Sequence, residues 1–331
     1  MVTIKDVAKK AGVSISTASL VINNKAGVSE RLRAKVLAAI EELDYRPNGM
    51  ARALKSKKSK VLGLIIPDIV NPFFPLVVRG VEAAALRYGY SLILGNTDGK
   101  LEEEARYLEL FVEKCVDGII FIPASNFKKN IRTFLRIESP KVVIDRALEG
   151  TGLPTVMTDN ITGAYLATRH LLANGRRRIL FISGPQDLQA SQDRYKGYKK
   201  ALGEFGLDEE LVLNGDYTFD SGKRVMEQAL KEKLCFDAVF GANDLMALGA
   251  MVVLSENKIK IPEDVEVVGY DNILFSSLSK PTLTTVEQPA YQMGYEATRL
   301  ILRQIYSKKE LSECKLLEPK LIVRESSPQQ Y

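Results

Sequence analysis

Of the 331 residues only one is histidine, His170, and three are cysteine, Cys115, Cys235 and Cys314. A single imidazole cannot furnish an HExxH helix or a histidine-rich metal site. The cysteines are far apart, odd in number and outside any CxxC spacing. That argues against a disulfide framework or a thiolate metal site and for a reducing compartment. No apolar run approaches the roughly 20 residues needed to span a bilayer. The opening "MVTIKDVAKK" is charged rather than signal-like, so a cytoplasmic protein with no membrane partner is expected. Neither a GxGxxG after a strand nor a GxxxxGK[ST] is present, which removes the phosphate cradles of dinucleotide and P-loop chemistry. Nothing marks a carboxylate pair for glycosidic chemistry. The expectation is a protein that is not an enzyme and uses no cofactor or metal, against the alternatives of a cytoplasmic sugar-modifying enzyme or a free-standing sugar receptor.

Charge is distributed unevenly. Residues 1–60 hold 13 Lys and Arg against 5 Asp and Glu, whereas the remainder holds 33 against 36. A net +8 confined to the first sixth of the chain points to a polyanion-binding module on a neutral-to-acidic body.

Within that module the periodicity gives three short helices. Thr3 can cap the first, with Asp6 reaching back from the capping-box position, and Ile4, Val7, Ala8 and Ala11 form its inner face. Gly12 ends it where a positive φ is needed. Ser14 can cap the second, "ISTASLVIN", with Ala18, Val21 and Ile22 inward. Ser29 can cap the third, with Leu32, Val36, Ile40 and Leu43 at core spacing. Small residues at Ala8 and Ala18 around the turn glycine describe a helix-turn-helix, whose second helix lies in the DNA major groove; a generic three-helix bundle is the alternative. The outward side chains of the second helix are Ile15, Ser16, Ser19, Leu20 and Asn23. Ser14, Thr17 and the helix N-terminus suit phosphate contacts, and Thr3 is grouped with them as a candidate DNA contact.

"RPNGMARALKSKKSK" follows. A short helix after Pro47, capped by Asn48, would put Met50, Ala53 and Leu54 on one face, yet it is too short to be stable alone.

"TIKDVAKKAGVSISTASLVINN" followed by "YRPNGMARALKSKKSKVLGLIIPD" resembles the LacI-type family (lactose, purine and ribose repressors) of bacterial transcriptional regulators, and the likeness runs to "PKLIVRESS" near the end. It implies a hinge helix that orders when two subunits sit on an operator. There the leucine at Leu54 wedges between base pairs in the minor groove, at an unstacking cost offset by wider contact. Ala51 allows close approach, and Asn48, Arg52 and Lys55 hold phosphates or the groove floor. Many family members carry Arg or His at the position of Leu20. Leucine can at most meet a thymine methyl, so base reading falls to Ile15, Ser16 and the hinge.

From Val61, apolar strands alternate with amphipathic helices in two consecutive series, the first through "VLGLIIP", "YSLILGN", "DGIIFIP" and "KVVIDR", the second through "RRILFISG", "DAVFGAN" and "VEVVGYD". The fold expected is α/β: an all-α helix-turn-helix domain and hinge helix, then a two-lobed, periplasmic-binding-protein-like body of two doubly wound parallel sheets. The boundaries expected are residues 1–46 for the DNA-binding domain and 47–60 for the hinge. The N-terminal lobe takes 61–160 and about 288–318, and the C-terminal lobe 161–287 and about 319–331. The family resemblance implies that the chain crosses three times between the lobes.

Ligands bind beyond the carboxyl ends of strands in such sheets. Those ends carry Asn71, Phe73 and Phe74; Asp145 and Arg146; Arg194; Phe219; Asn243; and Asp271, with several matching effector positions of the family. Carboxylates, an arginine and amides around aromatic faces suit a polyhydroxy ligand. Each also has a plainer role available: Asn243 or Asn160 can cap a helix, and Asp271 can close a turn. Purine-binding relatives use an aromatic with an Arg/Asp pair, and the additional Asp145 and Asn243 favour sugar.

The expected partners are double-stranded operator DNA, a small effector (a sugar by preference), a second copy in a homodimer or higher tetramer, and conceivably a phosphocarrier protein. "FPLVVRGVEAAALRYG" is a candidate subunit face, though its apolar side chains equally suit its own sheet. The expected function is a dimeric repressor of a carbohydrate operon released by its effector, with corepression as the alternative.

Overall fold

The computed structural model describes residues 2–45, 58–125, 128–146, 148, 150–309 and 311–329. The chain divides into two units, residues 1–59 and 60–331.

The described residues of the first unit form three helices, α1 (Ile4–Ala11), α2 (Ile15–Ile22) and α3 (Glu30–Glu42). Asp6 Oδ2 accepts from the Thr3 backbone N–H at 2.8 Å and from its hydroxyl at 2.7 Å, so the capping-box glutamate position is served by an aspartate. Gly12 stops α1 at φ 66°, and Ser14 Oγ accepts from the Thr17 N–H at 3.1 Å to start α2. Ser29 has the extended backbone of an N-cap, but its side chain makes no capping bond. Val7, Ala8, Ala11, Ala18, Val21, Val36 and Ala39 form the core. Ala8 and Ala18 are therefore the close-packed small residues that the spacing required. Leu32 departs from expectation: it lies one turn before Val36 yet is 37% exposed. The guanidinium of Arg33 in α3 holds the α2–α3 loop, donating to Asn24 Oδ1 at 2.8 Å and to the Lys25 carbonyl at 3.0 Å.

The second unit holds two six-stranded sheets. The first half of the chain's alternation gives β1 (Val61–Ile66), α4 (Phe73–Arg87), β2 (Ser91–Asn96), α5 (Leu101–Glu113), β3 (Gly118–Phe121), α6 (Lys128–Arg136), β4 (Lys141–Ile144) and β5 (Thr155–Thr158). The second gives α7 (Asn160–Ala173), β6 (Ile179–Ser183), α8 (Gln189–Glu204), β7 (Leu211–Asn214), α9 (Phe219–Lys231), β8 (Ala238–Gly241), α10 (Asp244–Glu256), β9 (Glu266–Asp271), a 3₁₀ turn (Leu274–Ser277) and β10 (Thr284–Glu287). It closes with α11 (Ala290–Ser307), β11 (Cys314–Leu317) and β12 (Lys320–Ile322). The sheet orders are β11-β5-β4-β3-β1-β2 and β12-β10-β9-β8-β6-β7. Every pairing is parallel except β12, which runs antiparallel to β10, so the second sheet is not wholly parallel. The chain passes between sheets three times: after β5, after β10 and between β11 and β12.

The central strands are buried on both faces, as those of helix-covered parallel sheets must be: Leu62, Leu64, Ile65 and Ile66 of β1 are all fully enclosed. Helices α4 and α11 cross almost backbone to backbone. A Cβ on Gly80 would lie 2.0 Å from the Tyr291 carbonyl oxygen, and one on Gly294 2.1 Å from that of Val77. Phe74, Val77, Gly80, Val81, Ala84 and Ala85 of "FPLVVRGVEAAALRYG" are buried within their own subunit, whereas Leu86 and Tyr88 at its end are exposed.

Candidate functional site

On α2, Ile15 is 47% exposed and Ser16 is exposed, while Thr17, Ser19 and Leu20 are half-buried. The Ser14 and Thr17 hydroxyls face each other at 2.9 Å. Asn23 folds its amide back on the helix, donating to the Ser19 carbonyl at 2.7 Å. Thr3 spends both its N–H and its hydroxyl on Asp6. Ile15 and Ser16 are thus exposed side chains of α2 that make no side-chain hydrogen bond among the described residues, unlike Ser14 and Asn23. The remaining candidates, Asn48, Ala51, Arg52, Leu54 and Lys55, lie outside the described residues.

The carboxyl ends of both sheets in the second unit face a cavity of about 480 Å³. Asn71, Phe73, Phe74, Asp145, Arg146, Arg194, Asn243 and Asp271 all line it, although they come from loops far apart in sequence. Phe219 does not. Thr218 Oγ1 accepts from the Ser221 N–H at 3.1 Å and caps α9, leaving Phe219 as a partly exposed first helical residue. The aromatic ring on that wall belongs to Tyr217, whose φ of 70° turns the chain two residues earlier. Tyr217 lies against Gly184, where a Cβ would come within 2.2 Å of the ring, and its hydroxyl meets Ser191 Oγ at 2.6 Å.

Arg194, buried in α8, is the centre of the polar wall. Its Nε donates to Asn160 Oδ1 at 2.8 Å and its Nη1 to the Ala242 carbonyl at 2.5 Å, while Cζ sits 3.9 Å from the centroid of the Tyr270 ring. Burial works against the charge on this guanidinium. Tyr217, Tyr270, Asp271 and Asp145 outweigh it and hold the group more firmly protonated than usual. Asp271 closes β9 at φ 120° and accepts from Gln288 Nε2 at 2.7 Å. Burial lifts its carboxyl well above the ordinary range; Arg194 pulls it back, and Asp244 and Asp145 push it higher. Asp244, fully enclosed beneath, is raised to about 6 by burial, although Ser276, Thr285 and the Ile273 N–H all donate to it.

Asn243 plays its plainer role as well as lining the cavity. Its Oδ1 caps α10 through the Met246 N–H at 2.9 Å, and its Nδ2 fixes the Tyr217 carbonyl at 2.8 Å. Arg146 Nη1 donates to the Pro123 and Ala124 carbonyls, and its Nε lies 3.5 Å from Asp145 Oδ2. Three buried polar atoms of lining residues have no hydrogen-bond partner in the protein: Asp145 Oδ1, Arg146 Nε and Gln288 Oε1. Buried polar groups are seldom left so, and a bound ligand would satisfy them.

Sequence reasoning passed over Gln288 and Tyr217, and Asn160, read there as a possible cap, orients Arg194 while Asp159 caps α7. Gln288 follows β10 directly and was accessible to the strand-end rule. Tyr217 was obscured by a turn without glycine. His170 is structural: its ring Nε2 lies 2.9 Å from the Ser327 carbonyl and ties α7 to the C-terminal segment. Among the described residues no cluster of His, Cys, Asp or Glu could hold a metal, and no helix is long and apolar enough to cross a membrane.

A small three-helix unit with helix-turn-helix geometry, followed by a two-sheet body with a cavity at its strand ends, defines a ligand-responsive DNA-binding regulator. Residues 3–48 match the model for bacterial regulatory proteins of the lacI family, and residues 59–323 match that for periplasmic binding proteins and the sugar binding domain of the LacI family. The chain belongs to the LacI family and is a transcriptional regulator of that family. It is 40% identical to the ribose operon repressor of Halalkalibacterium halodurans over 99% of this chain and 97% of that protein. It is 37% identical to the transcriptional repressor PurR of Vibrio parahaemolyticus over 98% of each. A crystal structure of the lac repressor dimer bound to operator and an anti-inducer superimposes with a TM-score of 0.90 at 28% identity, covering 99% of both chains.

Proposed function

We propose that this regulator is a repressor of a carbohydrate-utilisation operon, acting in the cytoplasm as a homodimer on a palindromic operator and released when a small sugar enters the strand-end cavity. It is a binding protein and not an enzyme. The observation that carries the effector half is the set of unpartnered buried atoms at Asp145, Arg146 and Gln288 around one cavity, which a polyhydroxy ligand can satisfy from both sides because each hydroxyl donates and accepts. The DNA half is carried by the +8 of the first sixty residues and by the exposed Ile15–Ser16 edge of α2. A single short recognition helix reads only a half-site, so two copies and a palindrome are required. The likeness to a purine repressor supports a second possibility, corepression by a nucleobase on the same architecture.

Selection of binding sites from random duplex DNA, repeated with pooled sugars and with pooled nucleobases, separates these. A palindrome enriched by the protein alone and lost with sugars is the expected outcome. Enrichment only with nucleobases reverses the switch to corepression. Enrichment that appears only on addition of a phosphorylated carrier protein would make that protein the corepressor. Failure in every pool would sink the DNA-binding role assigned to α2.

A further inference from the structure

We infer that the cavity accepts an uncharged sugar and rejects the phosphate ester of the same sugar, with Asp145 and Gln288 as the side chains that distinguish them. This deepens the effector role proposed above and rests on it.

Charge comes first. Asp145 and Asp271 are buried in the cavity wall, and Asp68, Asp98 and Asp216 (the last paired with Arg224 at 3.4 Å) stand at its margin, against two cations, Arg146 and Arg194, among the described lining residues. Both guanidiniums are already engaged. Arg194 holds Asn160 and the Ala242 carbonyl and covers the Tyr270 ring; Arg146 holds two carbonyls of the β3–α6 loop. Three of these hydrogen bonds go to backbone carbonyls and one to Asn160, so part of each guanidinium's donor capacity is committed before a ligand enters. Helix N-termini are the other common anion sites. Those of α9 and α10 are capped by Thr218 and Asn243, and the Phe73 N–H that opens α4 is taken by Asn71 Oδ1 at 3.1 Å, whereas α8, whose Leu188 lines the cavity, starts without a side-chain cap.

Hydrogen-bond polarity points the same way. Of the three unpartnered buried atoms, Asp145 Oδ1 and Gln288 Oε1 are acceptors and only Arg146 Nε is a donor. The cavity therefore asks its occupant chiefly for hydrogens, which sugar hydroxyls supply and a phosphate dianion does not. Asp271 is already held well above the usual carboxylate range, by burial first, then by Asp244 and Asp145 working against Arg194. Another negative charge beside it would meet the same repulsion.

The protein would thus respond to the sugar before its activation. Transfer of a phosphoryl group from a nucleoside triphosphate to a sugar hydroxyl breaks the donor's terminal P–O bond, forms a new one to the sugar oxygen and frees the hydroxyl proton. The product would no longer fit, and the signal would end.

The test is isothermal titration of the full chain with matched pairs: D-ribose and its 5-phosphate, D-glucose and its 6-phosphate, D-fructose and its 6-phosphate. At least one neutral sugar should bind, with its ester about a hundredfold weaker or worse, the scale of burying like charges together. Gln288→Leu should weaken the neutral sugar about tenfold, the loss of one buried hydrogen bond, and Asp145→Asn should narrow the gap to the ester. An ester that binds as tightly as its sugar overturns the inference while leaving the cavity a sugar site. An unchanged affinity in Gln288→Leu removes that residue's part. If no sugar binds in either form, the effector role of the cavity fails and this inference with it.

Discussion

Arg194 and Asp271 are both buried and lie within each other's electrostatic field, each favouring the charged form of the other. A buried guanidinium without a carboxylate, or the reverse, leaves an uncompensated charge. Arg194→Met keeps much of the volume but removes the charge. It should abolish the effector response, destabilise the second unit by about 3 kcal/mol or more, and leave operator affinity without effector unchanged. Fluorescence anisotropy on labelled operator, at a temperature where circular dichroism reports folded protein, checks this; a collapse of operator binding would make Arg194 structural only. Asp244 carries a pH prediction. Its carboxyl is raised from the ordinary 3.8 to about 6, so between those values the folded chain binds a proton that the unfolded chain has released. Stability should therefore fall as pH rises through that window and level off above it. Asp244→Asn should flatten the slope in denaturant titrations at successive pH values, and an unaltered slope would assign the proton to Asp271. At this scale Arg194, Asn243 and Asp271 were legible because strand ends and helix starts are marked by polar residues after apolar runs. Phe219 was misplaced by two positions, because a positive φ at a tyrosine such as Tyr217 leaves no trace in composition.

Helix α4 shows what periodicity delivers and what it cannot. Its apolar spacing fixed the buried stripe, yet nothing in the spacing says whether the stripe meets its own subunit or another. Gly80 settles it, since its Cα lies against the α11 backbone. Gly80→Ala would force the two helices apart and should destabilise the body by about 1–3 kcal/mol, the ordinary cost of overpacking, read as a lower denaturation midpoint at an unchanged slope. A midpoint equal to that of the parent chain would show that the crossing can relax freely. In the first unit the caps at Thr3, Gly12 and Ser14 were legible because capping is local chemistry between residues three or four apart. Leu32 was not, since its exposure is a tertiary matter. The four-residue strands β5 and β7 escaped for a similar reason. Threonines at both ends leave β5 with only Val156 and Met157 as an apolar run, and β7 is only half-buried, so sheet pairing rather than pattern defines them.

For the whole molecule the relevant quantity is a coupling free energy between two sites that share no residue. The strand-end cavity belongs to residues 60–331 and the helix-turn-helix to residues 1–59. If a sugar lowers operator affinity by some factor, operator DNA must lower sugar affinity by the same factor, because the four states close a thermodynamic cycle. Couplings of this kind usually amount to about 5–150-fold. The proposed mechanism therefore makes a demand that neither half of the protein can meet alone. Titrating the sugar into free protein and into protein saturated with operator should give dissociation constants whose ratio equals the loss of operator affinity measured at saturating sugar. Both measurements have to be made at one salt concentration, since the basic first unit makes DNA affinity fall with salt through counterion release, whereas a neutral ligand's affinity for the cavity carries no such term. Equal ratios would establish that cavity and recognition helix report on one equilibrium. If sugar binds identically with and without operator, the cavity is a ligand site with no hold on DNA, and the switch must lie elsewhere in the chain.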